Sequence, residues 1–498
     1  MNQKKLLTFC IAAVTAFSLF ACKSIRNSQV QGLDVTASNI AANAQIDDSM
    51  VTEVKLLPNT MVPKGFLVTL NQVNQDFIRS LYSIIYNINK NDGLAGLEGL
   101  RQEITMVVAG PDIDLWNSLK ADLLAKVSPG TTPQREELGP ADVEKAGPNL
   151  PYIQWIGNVS DGDLWMQDWG EFAAIRVQGS TKRYYAVMDS GRGRGINSSA
   201  LSTIFKIPFI KITGITTADP GNYGGNTEAT PEGKLYYGDK LTDEDMKGRL
   251  ARLGNQDAIK VPSDWLSVGH VDEFLSFIPA RNDCGSSLVA ASPLEGLNLL
   301  ATLSGSDLRS YGLPFGDELR TALKQLLKNQ SQPAPYTLDD FNTDVLSRHP
   351  SLGASAETTS AMVDAKNFVI GNLKDEKQIR IAVAKLQAAS SCLKDIVTVP
   401  QVFNIGPQAN GYKSVSTFGG STNMLVLRDH LIIPEPFIDD RHPAVKVFRD
   451  TVQSKLAARV GADRIHFIDT TPYHTNDGEI HCGTNVVREI DMPFQFGD

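Results

Sequence analysis

One run, Ser263-Asp-Trp-Leu-Ser-Val-Gly-His270-Val-Asp272-Glu-Phe-Leu-Ser-Phe277, constrains this chain more than any other. It sets an imidazole and a carboxylate two residues apart inside an apolar, β-prone stretch. Side chains alternate faces along a strand, so a strand here points His270 and Asp272 the same way. A proton carrier beside an anion suits a site that binds a cation and performs acid–base chemistry on it. Taken alone, the pair fits a core or surface strand equally well. A second run, Gly478-Glu-Ile-His481-Cys482-Gly-Thr-Asn485, flanks a cysteine with His and Gly in a loop-like context. It offers a thiol nucleophile, with a buried inert cysteine as the alternative. A third, Asp161-Gly-Asp-Leu-Trp165-Met-Gln167-Asp168-Trp-Gly-Glu171, puts a carboxylate three residues after a large aromatic. By itself it reads as a Trp-bearing turn or strand end.

Apolar residues at helical spacing (Phe77, Leu81, Ile84, Ile85, Ile88) predict a helix over 72–89, and similar stretches cover 244–253, 318–327 and 376–393. Strand-like runs cover 103–109, 171–177, 184–188, 274–278, 424–427 and 464–468. The mixture predicts an α/β fold. Segments 127–147 and 329–335, rich in Pro, Gly and polar residues, read as surface loops. The chain's 498 residues, 42% hydrophobic, are ample for a large core, and neither a repeat nor a composition shift divides residues 49–498. A net charge of −9 with no basic tract leaves nucleic-acid binding without an electrostatic footprint.

The N-terminus reads as an address. Lys4 and Lys5 precede an apolar run over 6–21, shorter than the roughly 20 residues a membrane span needs. The run ends Leu19-Phe-Ala-Cys22. This is similar to a bacterial lipoprotein signal, in which Cys22 would be acylated after cleavage; ordinary signal cleavage is the alternative. Residues 1–22 are therefore expected to direct export, with a lipid anchor on a membrane face outside the cytoplasm, periplasmic or cell-surface. Residues 23–48, polar and rich in Ser, Asn, Ala and Gln, read as a flexible tether. Of the five cysteines, Cys284 and Cys392 are free to pair in an oxidising compartment, which leaves Cys482 as the odd thiol.

Together the three chemistry-bearing runs resemble the calcium-dependent protein-arginine deiminase family. Weaker similarity continues through Leu57-Pro-Asn-Thr60, Met188-Asp-Ser-Gly-Arg-Gly-Arg194, Pro400-Gln-Val-Phe403, Asn423-Met-Leu-Val-Leu427 and Pro434-Glu-Pro-Phe437. The resemblance implies the pentein fold, a pseudo-fivefold α/β propeller with the site on its axis. It also implies conversion of peptidyl-arginine to peptidyl-citrulline on arginine-containing proteins or peptides.

The residues make chemical sense of that activity. A guanidinium is planar, permanently charged and carries five N–H donors, so carboxylates such as Asp168 and Asp272 suit it as paired acceptors. Cys482 thiolate supplies a nucleophile for the central carbon, and His270 an acid for departing ammonia and then a base for water. The family assigns the same four roles at these positions. The resemblance further implies that Arg194 and Arg192 hold the substrate backbone and that Trp165 packs on the arginine stem. One gating arginine of the family is replaced by Asn476.

For Ca²⁺, which prefers oxygen ligands, the resemblance implies a site from Gln167, Glu171 and Glu228. A neighbouring site keeps Asp189 and Ser190 but has Trp169 and Gly193 at two ligand positions. Plain surface carboxylates are the alternative for Glu171 and Glu228. A zinc site from His270, His481 and Cys482 has no compact ligand spacing to support it. Two other functions stay open: a deiminase or hydrolase of a free guanidino compound (arginine, agmatine, methylarginine), and a non-catalytic surface lipoprotein.

Overall fold

One three-strand pattern recurs in the computed structural model, which describes residues 45–46, 48–94, 103–127, 144–145, 150–157, 162–189, 209–210, 220–241, 258–310, 313, 316–328, 360–390, 393–408, 411–436 and 443–493. Each time, an antiparallel pair is followed by a parallel third strand. Gly170–Val177 pairs antiparallel with Tyr184–Asp189, which runs parallel to Phe209–Ile210. The same order holds for Thr227–Ala229, Leu235–Gly238 and Ile259–Val261. It holds again for Leu275–Pro279, Ser286–Ser292 and Ile396–Pro400, and for Leu425–Leu427, His430–Pro434 and Ile465–Ile468. The fifth unit joins the chain's two ends: Thr484–Pro493 pairs antiparallel with Met61–Thr69, which runs parallel to Thr105–Gly110. Five units of one topology are the pentein arrangement that the family resemblance implied.

Parallel neighbours need a crossover, and helices supply it. Gln75–Leu94 lies between Met61–Thr69 and Thr105–Gly110, and Pro443–Val460 between His430–Pro434 and Ile465–Ile468. The first buries Phe77, Ile78, Leu81, Tyr82, Ile85 and Ile88, a stripe that recurs every three or four residues, against Met106 and Val108. Strands covered on both faces lose the alternating pattern: every residue of Leu275–Pro279, Ser286–Ser292 and His430–Pro434 is buried. Between Ser286–Ser292 and Ile396–Pro400 the crossover is enlarged. Pro293–Leu300, Gly305–Ser310, Gly316–Lys328 and Ser360–Ala389 pack on a satellite core that includes Leu297, Leu308, Leu323 and Phe368.

The units meet through short turns placed just before each first strand. All six of the expected strand positions hold to within a residue or two. The helix expected over 376–393 starts far earlier, at Ser360, and ends at Ala389. Residues 244–253, 329–335 and most of 127–147 lie outside the described residues, as do Cys22 and Cys392. Gln45–Ile46, inside the stretch read as a tether, pairs parallel with Phe209–Ile210. Cys284 is disulfide-bonded, and its partner lies outside the described residues. No described helix is long and apolar enough to cross a membrane.

Candidate active site

The expected strand geometry for His270 and Asp272 is wrong, although their proximity is right. The strand begins only at Leu275; Val271–Glu273 is a single 3-10 turn with His270 at its entry. Two features enforce the turn. Gly269 adopts φ +88°, a left-handed conformation that favours glycine. The Glu273 carboxylate accepts the N–H groups of Gly269 (3.0 Å) and His270 (2.8 Å). The apolar residues that imitate a strand anchor the turn instead: Val271 and Phe274 are fully buried.

Equivalent turns precede the other units' first strands. Gln167–Trp169 leads into Gly170–Val177, and Gly224–Asn226 into Thr227–Ala229. Asn423 precedes Leu425–Leu427, and Cys482 precedes Thr484–Pro493. Contacts between successive turns close a ring. Gly224 sits so near the first turn that a Cβ would lie 2.3 Å from the Gln167 carbonyl oxygen. Gly225 abuts the third, its would-be Cβ 2.6 Å from His270 Nδ1 and 2.8 Å from Asp272 Oδ2. Thr422 Oγ1 donates to the Glu273 carbonyl at 2.8 Å, linking the third turn to the fourth. Asn423 bonds to Cys482, and the Gln167 N–H donates to the Cys482 carbonyl at 3.1 Å, which returns to the start.

Asp168, His270, Asp272 and Cys482 thus meet at the centre, all buried. Cys482 Sγ donates to Asp272 Oδ2 at 3.3 Å. Ligand atoms of His270, Asp272 and Cys482 lie within 4.8 Å of one another. Burial first, then the Asp272 and Asp168 charges, push the Cys482 thiol well above its usual range. The second Asp272 oxygen, Oδ1, is buried and accepts no hydrogen bond among the described residues. Trp165 borders Cys482: a Cβ on Gly478 would lie 2.4 Å from the Trp165 ring and 3.4 Å from Cys482 Cβ.

His481 does not join a zinc-like cluster with His270 and Cys482. Its Nδ1–H bonds Asp272 Oδ2 at 2.9 Å, and its Nε2 stands 3.5 Å from Glu228 Oε1. Gln167, Glu171 and Glu228 form the expected oxygen-rich group. Gln167 Nε2 donates to Glu171 Oε1 at 2.9 Å. Neither carboxylate is the alternative surface group. Burial, then repulsion by Glu228, pushes Glu171 well up, and burial raises Glu228 to about 7. Trp169 is buried in a core with Met166, Phe172, Val187 and Val487, so that family ligand position is given over to packing. Asp189 ends the strand Tyr184–Asp189; Ser190, Arg192, Gly193 and Arg194 lie outside the described residues.

Sequence reasoning gave no role to three contributors: Asn423, Gly225 and the capping carboxylate Glu273. A polar Asn before an apolar Met-Leu-Val-Leu run resembles any loop end. Only alignment of the five turns, which share no sequence repeat, singles it out.

Comparison with known proteins matches residues 143–496 to the family Protein-arginine deiminase (PAD). The chain belongs to the protein-arginine deiminase family. Protein-arginine deiminase type-4 of Mus musculus is 29% identical over 361 residues, covering 67% of this chain and 47% of its own length. Type-3 of Rattus norvegicus is 30% identical over 388 residues, 71% of this chain and 50% of its own length. The chain therefore spans about half the length of the curated relatives it matches. Among solved structures, C. jejuni agmatine deiminase is similar with a TM-score of 0.46 and 10% identity, covering 88% of this chain and 97% of that one.

Proposed function

We propose that this family member hydrolyses peptidyl-arginine to peptidyl-citrulline and ammonia. The observation that carries the reading is the Cys482 thiol 3.3 Å from Asp272, in a buried ring with His270 and Asp168. A guanidinium entering the ring meets Asp168 and Asp272, whose carboxylates accept its paired N–H groups; Oδ1 of Asp272 is available for one of them. The bound cation offsets the two charges that raise the thiol, so Cys482 gives its proton to His270 and thiolate forms where the substrate already sits. Sγ attacks the guanidinium carbon. His270 protonates the departing nitrogen, which leaves as ammonia with its bonding pair. His270 then takes a proton from water as the new C–O bond forms, and the tetrahedral adduct expels Cys482 thiolate and leaves citrulline. Trp165 and, beyond the described residues, Arg192 and Arg194 are assigned to the peptide.

Calcium fits the Gln167–Glu171–Glu228 group on chemical grounds. Two carboxylates, Glu228 buried and Glu171 half-buried, repel each other there, and Glu228 Oε1 accepts no hydrogen bond among the described residues. When bound, the ion supplies positive charge to these hard oxygen donors. Gln167 and Glu171 belong to the turn and strand around Asp168, and Glu228 to the strand after Gly225, so the three residues would tie adjacent units together. The Gln167 amide must turn its oxygen inward for this. Export and acylation at Cys22 complete the reading: the protein would work while anchored by lipid outside the cytoplasm.

Citrulline release from a blocked arginine ester, from an arginine peptide and from free arginine and agmatine tests the proposal, with Cys482→Ser as control. Turnover of the peptide and ester, abolished in Cys482→Ser with an unchanged melting temperature, supports it. Activity on free guanidino compounds alone, or substantial turnover by Cys482→Ser, overturns it.

A further inference from the structure

Four of the five converging turns carry groups with roles already assigned: Asp168, the Glu228 turn, the His270–Asp272 pair and Cys482. The remaining turn contributes Asn423, 2% exposed. Its side chain makes three hydrogen bonds, all to the nucleophile's own turn. Oδ1 accepts the backbone N–H of His481 at 3.0 Å and that of Cys482 at 3.2 Å. Nδ2 donates to Cys482 Sγ at 3.1 Å. The orientation of the amide is forced. Two N–H donors require an oxygen facing them, which leaves the NH₂ to face the sulfur.

From this geometry we propose that Asn423 is a catalytic residue: the donor that aims Cys482 Sγ and stabilises its negative charge. The proposal rests on Cys482 being the nucleophile, as above. Sulfur sits between two groups of opposite character. Asp272 Oδ2, at 3.3 Å, is a partner only while sulfur keeps its proton. Once the proton is gone, two anions face each other, and Asp272 is drawn to the substrate's guanidinium. Asn423 Nδ2 then remains bonded to the thiolate. It does so again when the tetrahedral adduct expels sulfur with its electron pair. A donor placed on a developing charge in a buried, water-poor site is worth far more than the same bond in water. The two backbone bonds to Oδ1 hold that donor in register, so no rearrangement is needed as charge develops.

Asn423→Asp separates this role from scaffolding. The carboxylate has nearly the amide's shape and still accepts both backbone N–H groups, while the donor to sulfur becomes an acceptor. The expected result is a fall of about a hundredfold in kcat, the scale of losing one such donor, with KM little changed. The rate at which iodoacetamide alkylates Cys482 at a fixed neutral pH, followed on its peptide by mass, should fall in parallel. That reading needs no substrate, so it stands apart from the proposed reaction. Asn423→Ala, which also loses the backbone acceptor, should be at least as slow and should melt lower. Wild-type kcat and alkylation rate in Asn423→Asp would overturn the proposal. So would a loss confined to KM, or a fall in kcat with alkylation unchanged.

Discussion

Gly225 brings backbone against His270 and Asp272, and Gly225→Ala tests whether the ring is as tight as it looks. Gly225 lacks the left-handed φ that would strain an alanine, so the added methyl acts through space alone. It would stand 2.6 Å from His270 Nδ1 and 2.8 Å from Asp272 Oδ2, where ordinary contact begins near 3.4 Å. The imidazole must therefore retreat by about 0.8 Å and the carboxylate by about 0.6 Å. Both are packed from behind: Val271 and Phe274 are fully buried, and Asp272 is held by His481. A misplacement near 1 Å costs about a hundredfold in rate, or roughly 2.7 kcal/mol of barrier. Overpacking should also cost about 1–3 kcal/mol of stability. Steady-state citrulline kinetics should show the loss mainly in kcat, with a lowered melting temperature. Gly406→Ala is the matched control, since a Cβ there meets nothing within 4 Å. Wild-type kcat in Gly225→Ala would refute the argument that His270 and Asp272 are immobile at the axis.

Asp272→Asn and Asp168→Asn should each lower kcat/KM by roughly ten- to a hundredfold, the worth of a charged hydrogen bond of about 1.5–3 kcal/mol; unchanged kinetics in both would place the guanidinium clamp elsewhere. Glu228→Gln should raise the calcium needed for half-activation about tenfold and shrink the calcium-induced rise in melting temperature, with the limiting rate little altered. Because Trp169 is core, the wild-type calcium response should be shallow; a steep cooperative curve, or full activity in excess chelator, would defeat the single-ion reading. Stability should fall with acid through His466, which burial, then His430 and Arg464, press down to about 4. Arg464 donates to His430 Nε2 (2.6 Å), so His430 Nδ1 carries the hydrogen bonded to His466 Nε2 (2.9 Å), which leaves that nitrogen of His466 an acceptor. The folded pKa lies below the unfolded value near 6.5, so the unfolded chain binds the extra proton. This contribution is complete above pH 6.5 and is lost as pH falls towards 4, by at most about 3 kcal/mol and less with solvent screening. Denaturant unfolding at pH 7.5 and 5 should show a smaller drop in His466→Gln than in wild type; equal drops would contradict it.

Sequence alone supplied the candidate chemistry of this protein. The runs around Asp168, His270, Asp272 and Cys482 point to the proposed reacting groups through their family resemblance, and the proposed reaction calls for those residue types whatever backbone carries them. Helices such as Gln75–Leu94 were legible for a similar reason, since one apolar face has to be buried. The structure alone decided how the groups meet. His270 and Asp272 are neighbours through a 3-10 turn capped by Glu273, not through strand alternation, because a half-buried capping carboxylate and a left-handed glycine outweigh the β preference of Val271 and Phe274. The fivefold repetition leaves no trace in the sequence, since each unit buries different residues and only the direction of its strands repeats. Asn423 and Gly225 become meaningful only once five turns, distant along the chain, close on one another. There the decisive quantities are hydrogen bonds near 3 Å and clearances of tenths of an ångström. Composition and periodicity carry no record of such distances; long-range packing sets them.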